Sequence, residues 1–438
     1  MAMHRWRPGT ACVGLGLILL LTAAFAACTS TAPAAPAAPT AIPSSTQVRL
    51  VWTAPTSGGS PITGYVVTPF KAGVAQPATT FASTATTQDV TGLASGTAYT
   101  FEVAAVNAVG TGPNSPASAT VTTLTSWLVP VAGQVAQIVV DSTGKYAYAT
   151  NKALNEVEVL DIATRTLLTP IPVGSQPYGI DFSPDGKTLY VANSGGSSLS
   201  VVNVATRTVT KLITIPPAPT LADRPLTIAI ASNNIALVGT TFNGSGYGGR
   251  LMSVNIATGA VNQSNCCLNH LTTEITPMRA SGDRSKIFFT LGDDSGGRVY
   301  SYTAATDTIS PSTSLNASVR NVSVDGTGQV VAWDNYQGTQ FTDGSLLLQG
   351  TVSGGGQTAA AVSPAGDTAY RVENDPTNYS ANAVLRFISI TRFLGGSSEI
   401  LADSVPVYSS SSVALVPGGS LAVIESTHGM VVAQLPTF

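Results

Sequence analysis

Side chains able to do covalent or metal chemistry are scarce in this sequence. Beyond the N-terminal stretch the histidines are His270 and His428, and neither sits in a helical His-Glu pattern or beside a second ligand at metal spacing. Asp293-Asp294 and Asp375 lack the alternating Asp/Asn loop of a calcium site. No Gly-x-Ser-x-Gly turn occurs, and the clusters Gly354 to Gly356 and Gly395-Gly396 follow no strand-to-helix phosphate pattern. The adjacent Cys266 and Cys267 either close a strained vicinal bridge or remain inert thiols. We therefore expect no cofactor and no metal. What the sequence offers instead is recognition chemistry, with Arg, Asn, Tyr and carboxylate groups set at the ends of short apolar runs.

Those ends are fixed by an internal repeat. Asp161-Ile162-Ala163-Thr164-Arg165-Thr166 recurs as Asn203-Val204-Ala205-Thr206-Arg207-Thr208, then as Asn255-Ile256-Ala257-Thr258-Gly259-Ala260 and, more loosely, as Thr303-Ala304-Ala305-Thr306-Asp307-Thr308. Upstream of each copy lie a strand, a polar turn and a second strand, clearest from Tyr178 through Pro184-Asp185-Gly186 to Asn193. That passage resembles the YVTN repeats of bacterial β-propellers. Further turns fall at Asp141 to Gly144, Ser232 to Asn234, Gly282 to Ser285, Asp325 to Gly328, Ser363 to Gly366 and Pro417-Gly418, which makes seven. Residues 126–438 divided by seven give about 45 per blade, a length suited to four strands. The last unit has three strands before the chain stops, and Ser126-Trp127-Leu128-Val129-Pro130-Val131 is apolar enough to supply the fourth and close the ring. Trp127 is then expected between the first and last blades.

In such a meander the loop leading into the innermost strand and the loop between the second and third strands open on one face. The expected ligand rim is Tyr178, Arg224, Arg279, Arg320 and Asn321 from the first kind of loop, with Asp293, Asp334, Asn335, Tyr336, Glu373, Glu425 and His428 from the second; Asn151, Lys152 and Asn193 share that second position. Three arginines among seven leading loops fit a ligand with an anionic group, or else pair with neighbouring carboxylates and fix the loops. General acid–base work would require His428, Glu425 and Arg279 to converge.

Ahead of the repeats, residues 41–124 read as short strands of period two: Val48, Leu50 and Trp52 alternate with polar neighbours, and Gly58-Gly59-Ser60-Pro61 marks a turn. The run Gly92-Leu93-Ala94-Ser95-Gly96-Thr97-Ala98-Tyr99, followed by Phe101, Val103 and Ala105, resembles the fibronectin type III family. The resemblance implies a β-sandwich in which Trp52 is a core residue and Tyr99 a tyrosine corner. The chain is thus expected to be all-β, a fibronectin type III sandwich followed at residues 126–438 by a seven-bladed β-propeller.

The N-terminus reads as an address. Arg5 and Arg7 precede an uncharged run from Ala11 to Ala27 that ends in small residues, the order of a secretory signal at residues 1–27. Phe25-Ala26-Ala27-Cys28 resembles the lipobox of bacterial lipoproteins, which implies lipidation of Cys28; the plain alternative is a cysteine just past a cleavage site. From Cys28 to residue 40 the chain is rich in Pro and Ala, and Pro33, Pro36, Pro39 and Pro43 predict a semi-rigid stalk with a reach on the order of 55 Å over residues 29–46.

With 20 Lys+Arg against 23 Asp+Glu and only 10% charged residues, no basic excess exists to neutralise phosphates, so nucleic acid is not an expected partner. The expected protein is exported, lipid-anchored in a bacterial cell envelope and facing outside the cytoplasm. Its propeller would bind or scaffold a polar ligand, glycan, peptide or envelope protein. The alternative is an extracytoplasmic propeller enzyme, a lactonase, lyase or polysaccharide-acting protein, and that rests on fold analogy.

Overall fold

The computed structural model describes residues 30–43, 45–216, 223–242, 250–263, 274–275, 278–292, 298–311, 321–335, 338–343, 348–353, 357–374, 383–389, 397–400, 412–426 and 428–435. Residues 1–27, expected to be a signal, and Cys28, Cys266, Cys267, His270, Asp293, Asp294, Arg320, Tyr336 and Asp375 lie outside the described residues. Within them every regular element is a strand.

The first unit is a sandwich. Thr40–Pro43, Gln47–Val51 and Thr87–Thr91 form one sheet, and Val74–Ala75, Ile62–Lys71, Ala98–Asn107 and Val121–Thr122 the other, with Thr79–Phe81 also pairing the long strand Ile62–Lys71. Alternation sends Val48 and Leu50 inward from one sheet to meet Tyr65, Val67, Phe101 and Val103 from the other, all of them buried. Trp52 packs edge-on against Tyr65 at 4.9 Å between ring centroids. The Tyr99 hydroxyl accepts the Ala94 amide at 3.1 Å, the corner bond the sequence predicts.

The expected stalk is in part laid against this sandwich. Pro33, Pro36 and Pro39 are buried while Ala34, Ala35, Ala37 and Ala38 are exposed, the three-residue period of a polyproline II helix with one face covered. The segment is held by the Thr31 amide on the Gly58 carbonyl at 2.8 Å, the Ala34 amide on the Thr56 carbonyl at 3.0 Å, and Asn107 Nδ2 on the Thr31 carbonyl at 2.8 Å. A side chain on Gly112 would collide with the Pro33 carbonyl, so a glycine is required there. Composition indicated a segment unable to build a core of its own; it packs instead on one already built.

Seven further sheets make the propeller. Their innermost strands are Val135–Val140, Pro177–Phe182, Asp223–Ile230, Glu274–Ile275 with Arg279–Ala280, Asn321–Val324, Gln357–Val362 and Val413–Leu415. All seven expected turns join an innermost strand to the second strand of its blade. Blades stack face to face, and each apolar cluster is shared by two neighbours: Tyr148 and Val157 of blade 1 meet Phe182 and Val191 of blade 2, and Phe288 of blade 4 meets Trp333 of blade 5.

The repeated Ala-Thr-Arg motif is hairpin chemistry at the turn between third and fourth strands. Asp161 Oδ1 accepts the Thr164 amide and Asn203 Oδ1 the Thr206 amide, each at 3.0 Å, while Thr164 bonds Thr166 and Thr206 bonds Thr208 through their hydroxyls. Arg165 and Arg207 then take positive φ, at 59° and 55°. Their side chains reach back to the preceding blade, Arg165 over the Trp127 ring and Arg207 over the Tyr146 ring.

Ser126–Pro130 pairs antiparallel with Gly429–Gln434 and completes the seventh blade, as expected. The backbones approach so closely there that any side chain on Gly429 would strike the Val129 carbonyl. Trp127 packs against the cluster shared by blades 7 and 1, half-buried under the Arg165 guanidinium. The sandwich touches the ring beside it: Ile42 packs on the cluster between blades 6 and 7, and the Thr125 hydroxyl meets Gln434 Oε1 at 3.0 Å.

Candidate functional site

Each innermost strand has one edge turned to the centre of the ring, where its amides have no neighbouring strand to bond. Polar side chains of the preceding blade meet that need. Gln137 Oε1 accepts the Ile180 amide at 3.3 Å, Asp181 Oδ2 the Ile230 amide at 2.8 Å, Ser323 Oγ the Val362 amide at 2.8 Å and Ser412 Oγ the Ile138 amide at 3.2 Å. These bonds lash blade to blade around a central cavity of about 310 Å³.

The cavity is lined by innermost strands of all seven blades and by Gly282, Arg284, Gly326 and Pro364 of the hairpins that follow them. It therefore lies toward the hairpin end of the channel, opposite the face on which the rim was expected. Its ionisable lining is Asp181, Arg279, Arg284 and Asp325. Asp181 and Arg284 form a two-pronged pair, Nη1 to Oδ2 at 3.0 Å and Nη2 to Oδ1 at 2.9 Å, and Arg284 Nη1 also donates to the Ile230 carbonyl at 2.7 Å. Burial works against the Arg284 charge, yet the Asp181 charge and hydrogen bonds outweigh it and raise the guanidinium pKa. Asp325 is engaged by its own hairpin, accepting the Thr327 hydroxyl at 2.8 Å and the Gln329 and Val330 amides at 2.9 and 3.2 Å.

Of the expected rim, Arg279 lines the cavity. Burial lowers its pKa, and the nearby Asp181 carboxylate and Tyr178 phenol partly restore it, so these three form one electrostatic group. Arg224 stands half-buried on the innermost strand of blade 3. Asn321 begins an innermost strand, and Asp334, Asn335 and Glu373 stand near the ends of second strands, in strands and not in the loops where they were expected.

Other rim expectations need correction. Glu425 is 3% exposed rather than a rim group. It accepts the Ser412 amide at 2.9 Å, and burial pushes its pKa up to about 8 against the pull of that bond. Thr150 has the same task in blade 1, where its hydroxyl accepts the Gln137 amide at 3.1 Å beside a bulge in the innermost pair. Asn151 and Asn193 are buried, and their amides organise hairpins by donating to Glu158 Oε1 at 2.7 Å and to Ser200 Oγ at 3.0 Å. His428, by contrast, is exposed in the expected turn between the second and third strands of blade 7, where its carbonyl accepts the Val131 amide. Neither His428 nor Glu425 lines the cavity that holds Arg279, so the acid–base convergence does not form there.

Sequence reasoning missed Asp181, Arg284, Gln137 and Ser323. For Asp181 a signal existed, a carboxylate inside the apolar run Tyr178-Gly179-Ile180-Asp181-Phe182. For Arg284, in a hairpin 103 residues away, none did.

Comparison with known proteins agrees with this architecture. The fibronectin type III domain family matches residues 34–121, and the family described as lactonase, 7-bladed beta-propeller, matches residues 99–220, which covers blades 1 and 2 together with the end of the sandwich. No curated protein matches. Among solved structures, one titled "Crystal Structure of Mitotic Checkpoint Complex" superposes with a TM-score of 0.54 at 14% identity, covering 71% of this chain and 90% of that one. The "Kuenenia stuttgartiensis Hydrazine Synthase" gives 0.47 at 16% identity over 67% of this chain and 92% of that one. At 14% identity the likeness to the first of these is one of fold. This chain is an all-β protein in which a fibronectin type III sandwich leads into a seven-bladed β-propeller similar, in its first blades, to lactonase-type propellers.

Proposed function

We propose that this is a binding protein of a bacterial cell envelope, exported through residues 1–27, anchored by a lipid on Cys28, and recognising a polar ligand with its propeller. The observation that carries the reading is the channel: seven innermost strands surround a cavity whose polar groups are mostly bonded to one another, with a cation among them. Such a lining, with Asp181 taken up by Arg284 and Asp325 by its own hairpin, suits holding a ligand. Residues 30–39 lie on the sandwich, and the sandwich therefore begins two residues after the anchor and stands close to the membrane. Mass spectrometry of the membrane fraction should find an acylated N-terminal Cys28, and an unmodified mature N-terminus sinks the anchor. A glycan and peptide array probed with the purified ectodomain tests recognition; no specific binder across the array rejects it.

A second reading has one observation in its favour, the lactonase-type match over residues 99–220. On that reading the ring is an extracytoplasmic hydrolase. A screen against lactones and polysaccharides with and without divalent cations separates the two, since turnover that follows the protein through purification establishes the enzyme.

A further inference from the structure

Two arginines line the cavity and are partnered differently. Arg284 has a carboxylate on two prongs and a carbonyl besides. Arg279, on the innermost strand of blade 4, donates a single hydrogen bond, from Nη1 to the carbonyl of adjacent Met278 at 3.1 Å, and meets no carboxylate in ion-pair range among the described residues. A guanidinium has five N–H donors, and Arg279, half-buried in the cavity wall, keeps most of them for an acceptor that enters. The carboxylates that could have answered it are taken, Asp181 by Arg284 and Asp325 by its hairpin.

Ser323 supplies a second donor in the same tier. Arg279 lies two residues before Ser281, and Ser323 two before Asp325, and the Ser281 and Asp325 amides close the corresponding turns of blades 4 and 5. The Ser323 oxygen accepts the Val362 amide, which leaves its hydroxyl hydrogen free to point into the cavity. Around these donors stand Met278, Val324, Ile180 and Leu415. We propose that the hairpin end of the channel binds a small organic carboxylate, its oxygens on Arg279 and Ser323 and its apolar body against those side chains. At about 310 Å³ the cavity sits at the small end of ligand sites, which limits the guest to a single compact molecule. The inference rests on reading the ring as a binding module and adds the ligand's chemistry and its place.

The test is calorimetric titration of the full chain at fixed ionic strength with benzoate, acetate, benzamide and sulfate. Benzoate should bind saturably and more tightly than acetate, with benzamide and sulfate at least about tenfold weaker, the cost of losing a charge-assisted pair or the apolar contact. Arg279→Gln should lose about tenfold or more, Arg279→Lys should retain part of the affinity, and Ser323→Ala should cost about threefold. Melting curves establish that each variant is folded. Equal binding of benzamide, equal binding of sulfate, unchanged benzoate affinity in Arg279→Gln, or no saturable benzoate binding would each overturn the site. Array binding that survives in Arg279→Gln while benzoate fails in the parent leaves the wider recognition reading standing and removes this one.

Discussion

The sandwich and the propeller solve the burial problem in different ways. The sandwich folds one core between its own two sheets, with Leu50, Tyr65 and Phe101 meeting at its centre. In the propeller no blade has a core of its own: Ile138 and Leu160 of blade 1 are covered by Val423 and Val432 of blade 7, and Ile287 and Tyr302 of blade 4 by Leu237 and Leu251 of blade 3. The sandwich can therefore lose a neighbour and keep its interior. A blade cannot, and the ring holds only when closed.

The largest expected effect comes from opening the ring. A chain that begins at Val135 lacks Ser126–Pro130, bares the edge of Gly429–Gln434 and uncovers part of the cluster shared by blades 7 and 1, so the propeller should lose cooperative melting. Removal of residues 30–124 costs the ring only contacts such as Ile42, about 1–2 kcal/mol. If calorimetry finds the two truncations equally harmful, the contrast between the units is wrong.

Next is a titration at the closing seam. Glu425 keeps its proton in the fold up to about pH 8 while the unfolded chain releases it near 4.5. The stability it contributes is whole below the unfolded value and is lost as the pH rises through the folded one, a change on the order of a few kcal/mol. Glu425→Gln should flatten the propeller's melting temperature between pH 5 and pH 8.5 and leave the sandwich transition untouched; a profile identical to the parent excludes Glu425 as the cause.

Trp127→Ala should be milder than a fully buried tryptophan would be. The ring is half-exposed under Arg165, so a loss of about 2 kcal/mol is expected, seen in the propeller transition alone. Pro36→Ala is the smallest, about 1 kcal/mol, and should lower only the sandwich transition while making residues 30–39 easier to cleave. An unchanged cleavage rate contradicts the docking of that segment.

The two units also differ in how much could be read in advance. Trp52 and Tyr99 announced the sandwich because their partners lie nearby in sequence or one strand away. Seven hairpins and the unfinished last blade announced the ring, since each is a local pattern of turn residues and apolar runs. What stayed hidden depends on closure in space. Nothing local says that Glu425 takes the bulge position held by Thr150 in blade 1, or that Arg284 reaches back across blade 3 to Asp181. The docked prolines are an intermediate case: the three-residue spacing of Pro33, Pro36 and Pro39 was visible, but composition argued for a free stalk until Gly58 and Gly112 were seen to make room for it.

That docking defines a load path. A pull on the chain at Ser30 enters the sandwich through the bonds to Gly58 and Thr56, leaves it at Val121–Thr122, and passes within a few residues into Ser126–Pro130, the clasp of the ring. Because that strand is paired lengthwise with Gly429–Gln434, tension along its axis is shared by the whole ladder at once instead of parting it bond by bond. The sandwich thus stands in series with the clasp, so a force on the N-terminal end reaches the ring only through the sandwich.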